Sequence, residues 1–131
     1  MIGLDTNVIV RYFVKDDPEQ TRAAVNFIYA LSPSEPGWLG LATILELVWA
    51  VTRIYRVERV EVIQILDILM ASRDIIVESD ETVREALRLY RTGNADFADC
   101  LITSSARVAG CSRVVTFDRT AARDAGMELL S

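Results

Sequence analysis

Short apolar segments alternate with longer amphipathic segments along the 131-residue chain. This alternation constrains the possible folds more than any other feature of the sequence. Strands are predicted at five places, namely residues 2–4, 38–42, 75–77, 113–117 and 127–130. Helices are predicted over about residues 8–13, 17–31, 43–55, 58–71, 80–91, 95–109 and 119–125. Strands joined by crossover helices pair in parallel, and helices cover both faces of such a sheet. We therefore expect an α/β protein, a three-layer α/β/α sandwich with a mostly parallel sheet of four to five strands, in a single domain over residues 1–131.

The absence of histidine removes several kinds of enzyme from consideration. Ser/His/Asp and Cys/His nucleophile systems and His-ligated zinc all need an imidazole. The two cysteines, Cys100 and Cys111, lack CxxC spacing and are too few for a disulfide scaffold, so we expect both to be small buried residues in a reducing compartment. If the protein is an enzyme, its carboxylates are the leading catalytic candidates.

The sequence predicts a cytoplasmic protein that does not associate with a membrane. Residues 1–5 lack the basic start and long apolar stretch of a signal peptide. Glu46 interrupts the longest apolar stretch, which is too short to span a bilayer. The net charge of -5 argues against a partner that is bound by bulk electrostatic attraction.

Five acidic residues stand where predicted strands end or predicted helices begin. Asp5 follows the first strand, Glu46 begins the helix after the second, and Asp118 ends the fourth. Asp99 lies in the first turn of the preceding helix, with Asp96 three residues earlier and so on nearly the same face. Sites in open parallel sheets form at the carboxyl ends of strands, so these acids are candidates for one functional site.

Helix capping offers a structural explanation for the same acids. Asp5, Asp96 and Asp118 occupy positions where an N-cap carboxylate is favoured, and Glu46 completes a capping-box pattern with Thr43. The two explanations are compatible, because helix N-termini that meet at one sheet edge also bring their capping carboxylates there. Both remain open from the residues alone.

Crowded carboxylates need protonation or a counterion. Two of them about 5 Å apart repel by roughly 3 kcal/mol at an effective dielectric constant of 20. This repulsion exceeds the stabilisation that a helix N-terminus gives to a carboxylate. Oxygen ligands without histidine suit a hard cation such as Mg²⁺ or Mn²⁺, which can promote phosphodiester hydrolysis. The candidate arginines for positioning a phosphate backbone at such a site are Arg11, Arg119 and Arg123.

Four segments together resemble the PIN-domain nucleases, and most closely the VapC-type toxins of toxin-antitoxin pairs. They are Leu4-Asp5-Thr6-Asn7-Val8, Thr43-x-x-Glu46, Asp96-Phe97-Ala98-Asp99-Cys100-Leu101-Ile102 and Val115-Thr116-Phe117-Asp118. The resemblance covers nearly the whole chain and includes its length, element order and acid spacing. It implies a PIN-like fold.

The resemblance also implies roles for individual residues. Asp5, Glu46, Asp99 and Asp118 would be the catalytic acidic quartet that binds Mg²⁺ or Mn²⁺, with Asp96 as a fifth acid at the rim of the metal site. Asp99 is assigned to the quartet rather than Asp96 because Asp99-Cys100-Leu101-Ile102 fits the family's Asp-x-x-Ile better.

Three hydroxyl or amide residues would assist the quartet. By the same resemblance, Thr6 and Asn7 would support Asp5, and Thr116 would line the floor of the site.

The implied activity is a metal-dependent endoribonuclease that cleaves structured RNA, such as transfer or ribosomal RNA. A cognate antitoxin protein would hold it inactive, and the family commonly forms homodimers. Trp38, Trp49, Tyr55 and Leu69 offer apolar surface for such a dimer, or are simply core. The sequence has two alternative interpretations: a non-catalytic binding module on the same scaffold, whose acids are only structural, and an aspartyl phosphotransfer domain. The latter requires a late lysine, whereas the single lysine is Lys15.

Overall fold

The computed structural model describes residues 1–131, which divide into two compact units, Met1–Glu78 and Ser79–Ser131. The first contains three strands and four helices: β1 (Ile2–Gly3), α1 (Thr6–Phe13), α2 (Pro18–Tyr29), β2 (Gly37–Leu39), α3 (Leu41–Arg53), α4 (Arg59–Ala71) and β3 (Ile75–Val77). The second contains α5 (Asp80–Thr92), α6 (Phe97–Val108), β4 (Val115–Thr116), α7 (Arg119–Asp124) and β5 (Glu128–Leu129). All five predicted strands and seven predicted helices are therefore present.

The first unit is built from two parallel crossovers. Its strands lie in the order β1-β2-β3, with Gly3 opposite Trp38 and Trp38 opposite Ile76. Each crossover contains two helices, α1 and α2 between the first two strands and α3 and α4 between the next two. Gly37 lies where β2 passes Leu4, and a Cβ atom there would lie 2.8 Å from the Leu4 Cδ1 atom, so a larger residue would force the Leu4 side chain to move.

The core of the first unit comes from one face of each helix. Helix α1 packs against α2 and α3, and α3 also packs against α4. The fully buried side chains include those of Ile9, Leu39, Ile44, Leu47, Val51, Val62 and Leu66. In α4 the buried residues Val62, Leu66 and Leu69 are spaced four and three positions apart, so they lie on one face of the helix.

The second unit has α5 packed against α6 and a short parallel pair of strands. Tyr90 and Phe97 meet edge to face with ring centroids 5.5 Å apart. Strands β4 and β5 pair with Val115 opposite Glu128, and α7 connects them. Gly126 follows the C-cap of α7 and adopts the left-handed conformation, at φ +75°. Glycine in this conformation commonly terminates a helix, as its position here predicts.

Parallel pairing and the α/β class are confirmed, with one correction to the sheet. The five strands are hydrogen-bonded as groups of three and two rather than as a single sheet of four to five. Strands β1, β4 and β5 contain only two residues each, so they form few ladder hydrogen bonds. The single domain over residues 1–131 stays a prediction.

Burial corrects the expectation for one cysteine and decides between surface and core for two of the residues offered as dimer surface. Cys100 is buried as expected, but Cys111 is exposed, because Gly110 at φ +94° has already turned the chain out of α6. Among the four residues proposed as surplus apolar surface, Leu69 is a core residue and Trp49 is 57% exposed.

None of the helices combines the length and the apolar character that crossing a membrane requires.

Glu85 links α5 to α6 and yields a prediction of pH dependence. It accepts hydrogen bonds from Arg88 and Arg107, and its pKa is lowered mainly by the Arg88 hydrogen bond. Because the folded pKa lies below the unfolded value, this stabilisation is present above the unfolded pKa and is lost as the pH falls through the folded pKa. Glu85→Gln should lower the free energy of unfolding by at most about 1 kcal/mol at pH 7, since the pair is partly exposed.

Urea unfolding at pH 7 and in acid measures this effect. The difference between Glu85→Gln and the unmodified protein should shrink as the pH falls below about 4. Glu81→Gln, an exposed position on the same helix, is the matched control and should change the free energy of unfolding little at either pH. A Glu85→Gln effect that is equal at both pH values would contradict the assignment.

Candidate functional site

Asp5 is the N-cap of α1 and follows β1, as predicted. Its backbone is extended, at φ -79° and ψ 157°, and its Oδ1 atom accepts a hydrogen bond of 2.7 Å from the Thr6 amide. The Asp5 side chain is exposed, and its Oδ2 atom accepts no hydrogen bond from the protein. Capping therefore uses one carboxylate oxygen and leaves the other available to a ligand.

Glu46 is exposed on α3, but it does not belong to a capping box. Helix α3 begins at Leu41 with Gly40 as N-cap, so Thr43 lies inside the first turn and Glu46 in the second. The capping-box interpretation of Thr43 and Glu46 is therefore wrong. Because the Glu46 carboxylate caps no helix, it is available for another role on α3, which packs against α1.

Glu78 performs the capping that the sequence assigned to Thr43 and Glu46. It directly follows β3, and its Oε1 atom accepts a hydrogen bond of 2.8 Å from the Leu41 amide at the start of α3. Its own amide donates to the Leu39 carbonyl. Glu78 was not among the predicted site residues, although its position immediately after a strand is the same signal that marks Asp5.

Asp118 repeats in the second unit what Asp5 does in the first. It is the N-cap of α7, and its Oδ1 atom accepts hydrogen bonds of 2.8 and 3.2 Å from the Thr120 and Ala121 amides. Its own amide donates to the Thr116 Oγ1 atom over 3.0 Å. Its Oδ2 atom, like that of Asp5, accepts no hydrogen bond from the protein.

Asp96 and Asp99 lie together at the start of α6. Asp96 is the N-cap, although its side chain caps no amide, and Asp99 is the third helical residue. Partial burial raises the pKa of Asp99, and the negative charges of Asp96 and then Asp118 raise it further. Asp96 and Asp118 thus lie close enough to Asp99 to oppose its ionisation, which is the condition that favours a bound cation.

The expected metal ligands stand in both units, Asp5 and Glu46 in the first and Asp96, Asp99 and Asp118 in the second. No group of three or more acidic or cysteine side chains is compact enough to hold a metal ion. The donor chemistry nevertheless fits Mg²⁺ or Mn²⁺, because every candidate ligand is a carboxylate oxygen. The joint role of the five acids stays a prediction.

Two of the three supporting residues form hydrogen bonds with a neighbouring candidate acid, Thr6 with Asp5 and Thr116 with Asp118. Thr6 is buried and supplies the amide that binds Asp5, whereas Asn7 is exposed and lines an apolar groove of about 440 Å³ between α1 and α2. Thr116 acts on Asp118 through the hydrogen bond described above. Its role at a site floor stays a prediction.

The three arginines proposed to meet phosphate differ in their partners. Arg11 donates hydrogen bonds to Asp16, Gln20 and Tyr55, which tie α1 to α2 and to the end of α3.

Arg123 pairs with its neighbour Asp124. Arg119 is exposed and forms no ion pair, so it is the arginine of the three that can meet an anion without first breaking a contact.

Comparison with known proteins connects the chain to a family. Residues 2–126 match the family model described as PIN domain. A protein named VapC ribonuclease from Aquifex aeolicus (strain VF5) is 29% identical over 117 residues, which cover 88% of this chain and 86% of the relative.

Replacing Asp118 tests whether capping and charge are separable. Asp118→Ala removes the acceptor for two amides and should lower the free energy of unfolding by about 0.5–2 kcal/mol. Asp118→Asn keeps a carbonyl oxygen that can accept both hydrogen bonds, so it should destabilise the protein less. Urea unfolding followed by circular dichroism measures both changes.

Asp96→Ala is the matched control. Asp96 is also an N-cap, but its side chain binds no amide, so its replacement should cost less stability than Asp118→Ala. Equal losses in the two alanine variants would show that the Asp118 hydrogen bonds contribute nothing specific.

Proposed function

The chain belongs to the PIN-domain family, and from this we propose that it is a metal-dependent endoribonuclease, the toxin of a toxin-antitoxin pair. The support comes from the family match over residues 2–126, from the relative named VapC ribonuclease, and from the acids at strand-to-helix junctions. The observation that carries the proposal is that Asp5 and Asp118 cap helices through Oδ1 alone, which leaves each Oδ2 for an ion.

We assign the catalytic role to Asp5, Glu46, Asp99 and Asp118, which would hold Mg²⁺ or Mn²⁺, with Asp96 as an additional acid. The bound ion would supply a nucleophile from water and neutralise charge on the phosphate. The protein's own contribution is to hold the carboxylates in place. The cap hydrogen bonds orient Asp5 and Asp118, and the first turn of α6 holds Asp99 beside two other acids.

The raised pKa of Asp99 explains why this acid should depend most on an ion. Burial and two neighbouring negative charges disfavour its ionised form. A divalent cation reverses both effects, because it attracts the carboxylate and offsets the neighbouring charges. Ion binding should therefore release protons near the pH at which Asp99 titrates.

The proposed partners are a structured RNA substrate, such as transfer or ribosomal RNA, and a cognate antitoxin protein. The net charge of -5 works against RNA binding by the protein alone. Divalent ions bound among the acids would reduce that opposition, so RNA binding and metal binding should be coupled. We also propose that the protein acts in the cytoplasm.

A homodimer is the proposed assembly. Trp49 on α3 and Val60 and Ile68 on α4 are each more than half exposed, and the two helices pack against each other. These side chains give the first unit an apolar surface that a second copy of the chain would cover.

RNA cleavage by the purified protein is the first test of the proposed function. Cleavage should require Mg²⁺ or Mn²⁺ and stop with EDTA. Asp99→Ala should lower kcat/KM by at least about 100-fold, because loss of a group that only orients a metal ligand already costs about 10- to 100-fold. Asp96→Ala, its neighbour on α6, is the matched control and should keep most of the activity.

The reverse result, activity lost in Asp96→Ala and kept in Asp99→Ala, would exchange the roles of the two acids. Calorimetric titration of Mn²⁺ provides a readout independent of cleavage. The heat of binding should disappear in an Asp5→Asn/Asp99→Asn double variant. An unchanged heat would show that neither acid binds the metal. If the unmodified protein folds cooperatively but never cleaves RNA, the alternative of a non-catalytic binding module is favoured instead.

Light scattering tests the proposed dimer. Trp49→Glu places a charge in the apolar surface of α3 and α4, and it should shift the protein from dimer to monomer. Tyr29→Glu, at a highly exposed aromatic position on α2, is the control and should leave the mass unchanged. A monomeric unmodified protein, or a dimer that survives Trp49→Glu, would contradict the assignment of this surface.

A further inference from the structure

Phe117 is the most exposed of the large apolar side chains, at 81% of its full accessible surface. Burying a phenylalanine side chain stabilises a fold, and Phe117 gains almost none of that stabilisation. It lies between Thr116, the last residue of β4, and Asp118, the N-cap of α7. An aromatic ring in water, beside a proposed catalytic acid, calls for a role other than packing.

The backbone on both sides of Phe117 is well anchored. The Thr116 carbonyl accepts a hydrogen bond of 2.8 Å from the Leu130 amide, and the Thr116 hydroxyl accepts one from the Asp118 amide. Asp118 is in turn anchored to the amides of α7. Phe117 is therefore presented from an ordered turn, and a ring with two side-chain torsions costs little entropy to immobilise on a ligand.

The charges around Phe117 favour a flat, uncharged contact. Asp118 follows it, and the negative charges of Asp96 and Asp118 both act on Asp99. These acids repel phosphates, but they do not oppose a nucleobase stacked on an aromatic face. Arg119, the next residue, is exposed without an ion pair and can meet a backbone phosphate.

We propose that Phe117 stacks on an unpaired nucleobase of the RNA next to the bond that is cleaved, while Arg119 contacts the adjoining phosphate. This inference rests on the proposed function, and it adds that the substrate presents an unstacked base at the cleavage point. Single-stranded loops and bulges present such bases, whereas regular RNA helices do not. Phe117 is thus a substrate-binding residue that selects unpaired nucleotides.

Binding of labelled RNA tests the stacking contact. The acids are left unmodified, and Ca²⁺ replaces Mg²⁺ so that the RNA is bound without rapid cleavage. Fluorescence anisotropy then compares a fluorescein-labelled single-stranded RNA of about ten nucleotides with the same backbone lacking its central bases. Phe117→Ala should weaken binding of the base-bearing RNA by about 5- to 150-fold and leave the abasic strand unaffected. Phe117→Trp should preserve the preference for bases, and Phe117→Leu should lose it.

Tyr29→Ala, which removes the other most exposed aromatic ring, is the matched control and should not alter the preference. The proposal is overturned if Phe117→Ala weakens both strands equally, if Phe117→Leu binds as well as phenylalanine, or if no variant binds RNA. If Phe117→Leu retained the preference for base-bearing RNA, residue 117 would act as a general apolar contact and not as a stacking platform. Cleavage by the unmodified protein is measured separately, so failure of the nuclease activity and failure of the stacking contact are distinguishable.

Discussion

Capping of helices by carboxylates that directly follow strands is the interaction on which the rest of this structure depends. A parallel strand that turns into a helix exposes the first amides of that helix, which require acceptors. Asp5 and Asp118 supply them from within the turn, and Glu78 supplies one from the end of a neighbouring strand. The same requirement places negative charge at the strand ends, where α/β proteins bind their ligands.

The elements of the fold were largely predictable because their signals are local. Pro18 after Asp17 starts α2, the β-branched run Ile75–Val77 forms β3, and Gly126 ends the segment after α7. Each depends on neighbouring residues alone. The division of the strands into groups of three and two depends instead on which distant segments pair, and strands of two residues carry little information about their partners.

In the candidate site, too, the sequence predicted interactions between neighbouring residues and missed those between distant ones. Asp5 and Asp118 were recognisable because each cap lies beside the helix that it serves. The start of α3 was misassigned because its capping carboxylate comes from Glu78, 37 residues away, while Thr43 and Glu46 imitate a local cap. The sequence left open whether Trp49 is exposed or belongs to the core, because α3 carries apolar residues around most of its circumference and its spacing does not select one face.

The unequal burial of the two cysteines has a practical consequence. Cys100 is enclosed in the core of the second unit, whereas Cys111 is exposed just beyond α6. Maleimide reagents need an accessible thiolate, so a dye or spin label would attach at one position of the unmodified chain. Spectroscopic experiments can therefore follow this protein without first removing a native thiol or introducing a new one.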